Sequence, residues 1–67
     1  MNRREDEIIA LIQEANNEKV FNEMRVEELF IDIDELFFVL ENRFGVLYDN
    51  TTELKTVGDI VNYFANN

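Results

Sequence analysis

Apolar residues recur at helical spacing in three stretches of the chain, and the middle stretch organises the rest. From Phe30 to Phe44 the sequence FIDIDELFFVLENRF places Ile33, Leu36, Phe37, Leu40 and Phe44 on the steps of a 3.6-residue repeat. The spacing predicts a helix here with that stripe facing a core. Its other face carries Asp32, Asp34, Glu35 and Glu41, and Glu27 and Glu28 stand just before it. No basic residue interrupts this run until Arg43. The consecutive residues Phe37, Phe38 and Val39 cannot all turn inward, because successive helix positions are about 100° apart. Phe38 is therefore expected at the edge of the acidic face, where it either packs under a loop or stands out as an apolar docking group.

A first helix is predicted over Arg3 to Ala15, with Ile8, Ile9, Leu11, Ile12 and Ala15 on its apolar side. Glu5, Asp6 and Glu7 fall in its opening turns, where the helix dipole favours anions, and Asn2 is placed to cap it. Asn16-Asn17 ends it, since asparagine tolerates a left-handed backbone. Between Glu18 and Leu29 the apolar residues Val20, Phe21, Met24, Val26 and Leu29 follow no period. Two readings stay open there: a connecting loop with a helical turn that folds these side chains over the bundle, or a second short helix. Gly45 suits the position that closes the central helix. Asp49-Asn50-Thr51-Thr52 marks the following connection as turn-rich, with Val46, Leu47, Tyr48 and Leu54 expected to pin it down. The last helix opens at Thr56, with Asp59 three residues on in a near capping box, and buries Val57, Ile60, Val61 and Phe64. With no competing strand pattern, the expectation is an all-α fold: a small three- to four-helix antiparallel bundle forming one domain over residues 1–67.

Composition narrows the chemistry. The 67 residues contain no cysteine and no histidine, so disulfides and the usual zinc ligands are unavailable. The 46% apolar content is that of a folding chain. No apolar run approaches the ~18 residues that span a bilayer. The start MNRREDEII is too acidic for a signal peptide, so a cytoplasmic location is expected. Paired carboxylates such as Asp32 with Asp34 or Glu35 lack the cleft that acid–base catalysis requires. The segment Asp32-Ile33-Asp34 lacks the glycine and bidentate glutamate of a calcium loop. No glycine-rich phosphate loop is present. The chain is therefore read as non-enzymatic, with no cofactor and no metal. Fifteen acidic residues against six basic ones leave a net charge of −9. That balance argues against direct contact with nucleic acid or anionic membrane and favours a protein partner with a basic patch.

The residues ENRFGV at 41–46, followed by TVGDIVNYF at 56–64, resemble the second half of the acyl carrier proteins. In that family an acidic helix ends in a glutamate-rich stretch and Phe-Gly-Val or Phe-Gly-Ile. A connecting loop and a short last helix opened by Thr-Val follow. The opening segment EIIALIQEA also sits where the family has its first helix. The resemblance implies an acyl-carrier-like bundle whose second helix is a recognition helix, presenting carboxylates and one apolar side chain to basic patches. Asp32, Glu35 and Glu41 fall at matching positions, and Phe38 takes the place of the exposed apolar residue. The departure is at the attachment site. Aligning Phe44 with the family's phenylalanine sets Leu29-Phe30-Ile31 on the Asp-Ser-Leu motif that carries phosphopantetheine, and this chain has no serine at all. Carrier function is lost, and Phe30 becomes either a core-filling side chain or an apolar anchor at the helix start.

The expected function is thus a small acidic protein that docks on a basic surface through its acidic helix 31–44, as a monomer. The candidate contact residues are Glu27, Glu28, Phe30, Asp32, Asp34, Glu35, Phe38 and Glu41. Its size and charge are those of inhibitors or decoys that occlude a nucleic-acid-binding groove, as immunity proteins and anti-CRISPR proteins do. The alternative is a non-carrier accessory protein in a fatty-acid or polyketide system.

Overall fold

Helix α1 runs over Arg3–Asn16, α2 over Ile33–Phe44 and α3 over Val57–Asn66, in a computed structural model that describes residues 3–66. The expected cap Asn2 lies outside the described residues. Among those residues there is no strand, only one isolated antiparallel bridge between Arg25 and Thr56. Among the described residues no helix is long and apolar enough to cross a membrane, and the architecture they form is all-α with three helices. The 18–29 segment resolves as the loop reading, with a single 3-10 turn at Val26–Glu28.

The core is assembled from the predicted stripes. Ile8 and Ile12 of α1, Leu36 and Leu40 of α2, and Val57, Ile60, Val61 and Phe64 of α3 are buried together. Val20, Leu29 and Val46 reach in from the connections. Ile33, Phe37 and Phe44 are only half-buried, around the edge of that cluster. Ala15 is exposed. Phe21 also stays exposed instead of folding over the bundle, with the Lys19 ammonium 5.8 Å from its ring centre.

Local chemistry sets the helix ends. Asn17 has φ 60°, and its N–H reaches the Gln13 carbonyl at 2.8 Å, which terminates α1. Gly45 has φ 70° and closes α2 by donating to the Glu41 carbonyl at 2.9 Å. At α3 the box is reciprocal. The Asp59 N–H donates to Thr56 Oγ1 at 3.1 Å, while the Asp59 carboxylate accepts from the N–H groups of Lys55 (3.0 Å) and Thr56 (3.1 Å). The 18–32 link is laced to the same end: Val26 N–H donates to the Lys55 carbonyl, Val57 N–H to Met24 and Gly58 N–H to Asn22. A side chain at Gly58 would bring its Cβ to 3.1 Å from the Asn22 oxygen, so a larger residue there would push the two backbones apart by a few tenths of an ångström.

These bonds, first from Lys55 N–H and then from Thr56 N–H, hold the Asp59 carboxyl below its ordinary value of 3.8. A depressed folded-state pKa stabilises the fold above the unfolded value and loses that effect as pH falls through the folded one. The difference in melting midpoint between wild type and Asp59→Ala is therefore expected to be full near neutrality and to shrink as pH drops below 3.8. Melts across an acid series check this; a gap independent of pH would assign the effect to packing.

Two expectations are corrected. Helix α2 begins at Ile33, not at Phe30 or Ile31, because Asp32 has extended backbone angles and its carboxylate accepts from Asp34 N–H at 2.9 Å. A short acidic side chain is worth more as a cap than as a helix-interior residue. Leu47 is 79% exposed and does not pin the 46–55 connection. Polar bonds hold that connection instead. Tyr48 N–H donates to Glu41 Oε2 at 2.8 Å, Tyr63 OH to the Leu47 carbonyl at 3.1 Å, and Tyr48 OH to the Thr52 carbonyl at 2.6 Å. The turn itself is built on Asp49, whose carboxylate takes the N–H groups of Thr51 and Thr52 and is held below the ordinary carboxylate range by them.

Candidate functional site

Phe38 lies between Leu36 and Leu40, which both point into the core, so its own direction is away from the bundle. It is 65% exposed, which decides for the docking-group reading over packing under a loop. Phe30 is 72% exposed, which decides against the core-filling reading. Its placement comes from Asn16, a buried polar residue at the end of α1. Asn16 Oδ1 accepts from Phe30 N–H at 2.6 Å, and Asn16 Nδ2 donates to the Glu18 carbonyl at 3.5 Å. The backbone of Phe30 is thereby fixed to α1 while its ring is left in solvent.

The candidate carboxylates divide by what they touch. Glu27 pairs with Arg25 at 2.9 Å, with both side chains exposed. Glu28 accepts from Arg25 N–H at 2.9 Å and so closes the 3-10 turn. Asp32 caps α2, and Glu41 holds the start of the 46–55 connection through Tyr48. Asp34 and Glu35 are exposed, and among the described residues neither carboxylate has a hydrogen-bonding or ionic partner. The uninterrupted acidic run in the sequence is thus only partly a free acidic surface. The outward face of α2 presents Asp34, Glu35 and Phe38, with Asn42 bonded back to the Phe38 carbonyl at 2.8 Å.

A second feature was not foreseen from the sequence. A groove runs between α1 and α2, formed by two depressions that share Leu11, Ala15 and Val39. Glu7 and Glu14 line it from α1, and Asp32 and Glu35 from α2, with Arg43 near one end and Phe30 at the other. Val39 is 42% exposed in it. Only the packing of the two helices brings Glu7 and Glu14 into one groove with Val39 and Arg43 of α2; the α1 periodicity signalled no more than their exposure.

Two ion pairs between described residues, Arg25–Glu27 and Lys55–Glu53, lie at the surface. Exposed pairs contribute about 0–1 kcal/mol each, too little to offset repulsion in a chain of charge −9. Raising ionic strength from low to physiological is expected to raise the melting midpoint by screening. Thermal melts at the two salt levels check it, and a falling midpoint would mean that attractive pairs dominate. No group of three or more acidic side chains among the described residues is arranged to hold a metal ion. In comparison with known proteins, the chain matches no family model, no curated protein and no solved structure.

Proposed function

We propose that this protein is a non-enzymatic docking protein that covers a basic surface of a protein partner, acting as an inhibitor or decoy at a groove built for nucleic acid. The observation that carries the reading is a pair of aromatic side chains, Phe30 and Phe38, held in solvent near Asp34 and Glu35, whose carboxylates have no hydrogen-bonding or ionic partner among the described residues. Keeping two phenylalanines exposed forgoes about 1.5–3 kcal/mol of burial for each, which a binding surface recovers and a purely structural one does not. Asp34 and Glu35 supply the steering charge around Phe38, and Asp32 adds to it from the cap.

The partner is to be isolated from the native host with this protein as bait, and its association measured against Glu35→Lys. Glu35 is the informative position because it is exposed and, within the described residues, unpartnered. Glu35→Lys is expected to slow association about tenfold at low salt, and the wild-type rate is expected to fall as salt rises. Association that ignores both the substitution and the salt would sink the proposal.

The second reading is an accessory protein with an acyl-carrier-like fold that transfers nothing. It is favoured by the order of the parts: α1, a long link, an acidic α2 closed at Phe44-Gly45, a connection, and a short α3 opened by Thr56-Val57. On this reading the same α2 face docks on the basic patch of a synthase component.

A further inference from the structure

The groove between α1 and α2 adjoins the outward face that carries Phe38 and shares Glu35 with it, and its chemistry is mixed in a specific way. Its floor is apolar and shallow: Ala10 and Ala15 keep the α1 side low, and Val39 keeps the α2 side low. The carboxylates gather toward the Phe30 end, with Glu14 on the α1 side and Asp32 and Glu35 on the α2 side, while at the other end Glu7 shares its depression with Arg43. A second copy of this chain does not fit, because it would bring the same carboxylates to the same walls. Nucleic acid is repelled. An extended peptide would need a free strand edge to pair with, and the described residues contain no strand.

We infer that this groove receives a basic amphipathic helix of a partner protein, its apolar stripe on Leu11, Ala15 and Val39 and its lysines or arginines against Glu14, Asp32 and Glu35. The inference rests on the proposed docking to a basic partner and adds where that partner's apolar side chains go. A helix laid between two others buries a narrow apolar seam, and flanking charges of opposite sign fix its position. Phe30 stands at the end of the seam, where it covers the last turn of the guest helix.

The test uses the whole protein, isotopically labelled, and a synthetic peptide of about 14 residues built from leucine and lysine at amphipathic helical spacing. The control is a peptide of the same composition in shuffled order, with equal charge and no apolar stripe. Expected are shifts of the backbone amides of Leu11, Ala15 and Val39 on titration, and binding of the ordered peptide at least about tenfold tighter than the shuffled one. Val39→Asp separates docking from plain attraction. It adds a negative charge, so a purely electrostatic complex tightens, whereas seating in the groove is lost. Ala15→Asp, at another exposed position, serves if circular dichroism shows Val39→Asp unfolded. Equal binding of the two peptides, or binding unharmed by the aspartate variant, overturns the inference. Shifts confined to Asp34, Phe38 and Asn42 overturn it too, yet leave the docking face of α2 standing. A native partner indifferent to Asp34→Lys and to Phe38→Ala, with the peptide still seated in the groove, removes the α2-face reading and keeps this one.

Discussion

Phe64→Ala is expected to leave the chain largely unfolded at room temperature. Phe64 is fully buried in α3 and is the largest side chain in the centre of the core. Its ring lies 6.1 Å from that of Phe37 on α2 and 5.2 Å from that of Tyr63, and Tyr63 in turn stands 5.7 Å from Tyr48 in the 46–55 connection. The substitution therefore opens a cavity where α3 meets α2 and loosens the base on which the connection rests. Truncating a buried phenylalanine costs about 3–5 kcal/mol. At about 0.05–0.15 kcal/mol per residue, a domain of this size holds only about 3–10 kcal/mol in total. Cavity cost and total stability are of the same order, so the helical signal in circular dichroism should be mostly lost before denaturant is added. Phe64→Leu, which keeps much of the volume, should cost about 1.5 kcal/mol or less and unfold cooperatively. If Phe64→Ala retains the wild-type signal and urea midpoint, the core is not organised as described.

Phe38→Ala is expected to do the reverse, leaving the fold intact and damaging the interface. The side chain is mostly in solvent, so its removal should change folding stability by no more than about 0.5 kcal/mol, and alanine is the better helix former. On binding, a central aromatic surrounded by carboxylates is the type of residue whose truncation costs about 2 kcal/mol or more. The loss should appear in the dissociation rate, because the ring contributes nothing at long range. That kinetic signature separates Phe38 from Glu35, whose replacement acts on association. Glu41→Lys is a poorer probe than Glu35→Lys, since it also takes the acceptor from Tyr48 N–H and frees the connection after α2. Surface plasmon resonance on the isolated partner, paired with melts of each variant, distinguishes the two effects. A folded Phe38→Ala with unchanged dissociation would remove Phe38 from the interface.

What the sequence determined by itself was local. The stripe Val57, Ile60, Val61, Phe64 is wholly buried, the Thr56–Asp59 box is reciprocal, and Gly45 takes the left-handed angles that end α2. Each depends on residues within a turn of one another, so propensity and periodicity suffice to place them. The turning of Phe38 away from the core belongs to the same class, because three consecutive apolar residues on a helix force one outward, but that no loop covers it was decided by the fold. Where the local reading went astray, at the start of α2, two local preferences competed. The apolar pattern extended the helix back to Phe30, and the capping preference of Asp32 won.

Tertiary structure decided the rest. Nothing near Phe30 in sequence shows whether it is core or surface; that follows from Asn16, fourteen residues earlier, taking its N–H. Glu41 reads as a surface acid until the chain turns at Gly45 and delivers Tyr48 N–H to its carboxylate. Glu27, Glu28 and Asp32 likewise look alike in composition and differ only in which donor the fold brings to them. The groove between α1 and α2 exists because Ile8 and Ile12 share one core with Leu36 and Leu40, which brings Glu7 and Glu14 alongside Val39 and Arg43. Periodicity tells which side of a helix faces inward. Which outward residues from two helices become neighbours is set by how the helices pack, and that is a property of the assembled core alone.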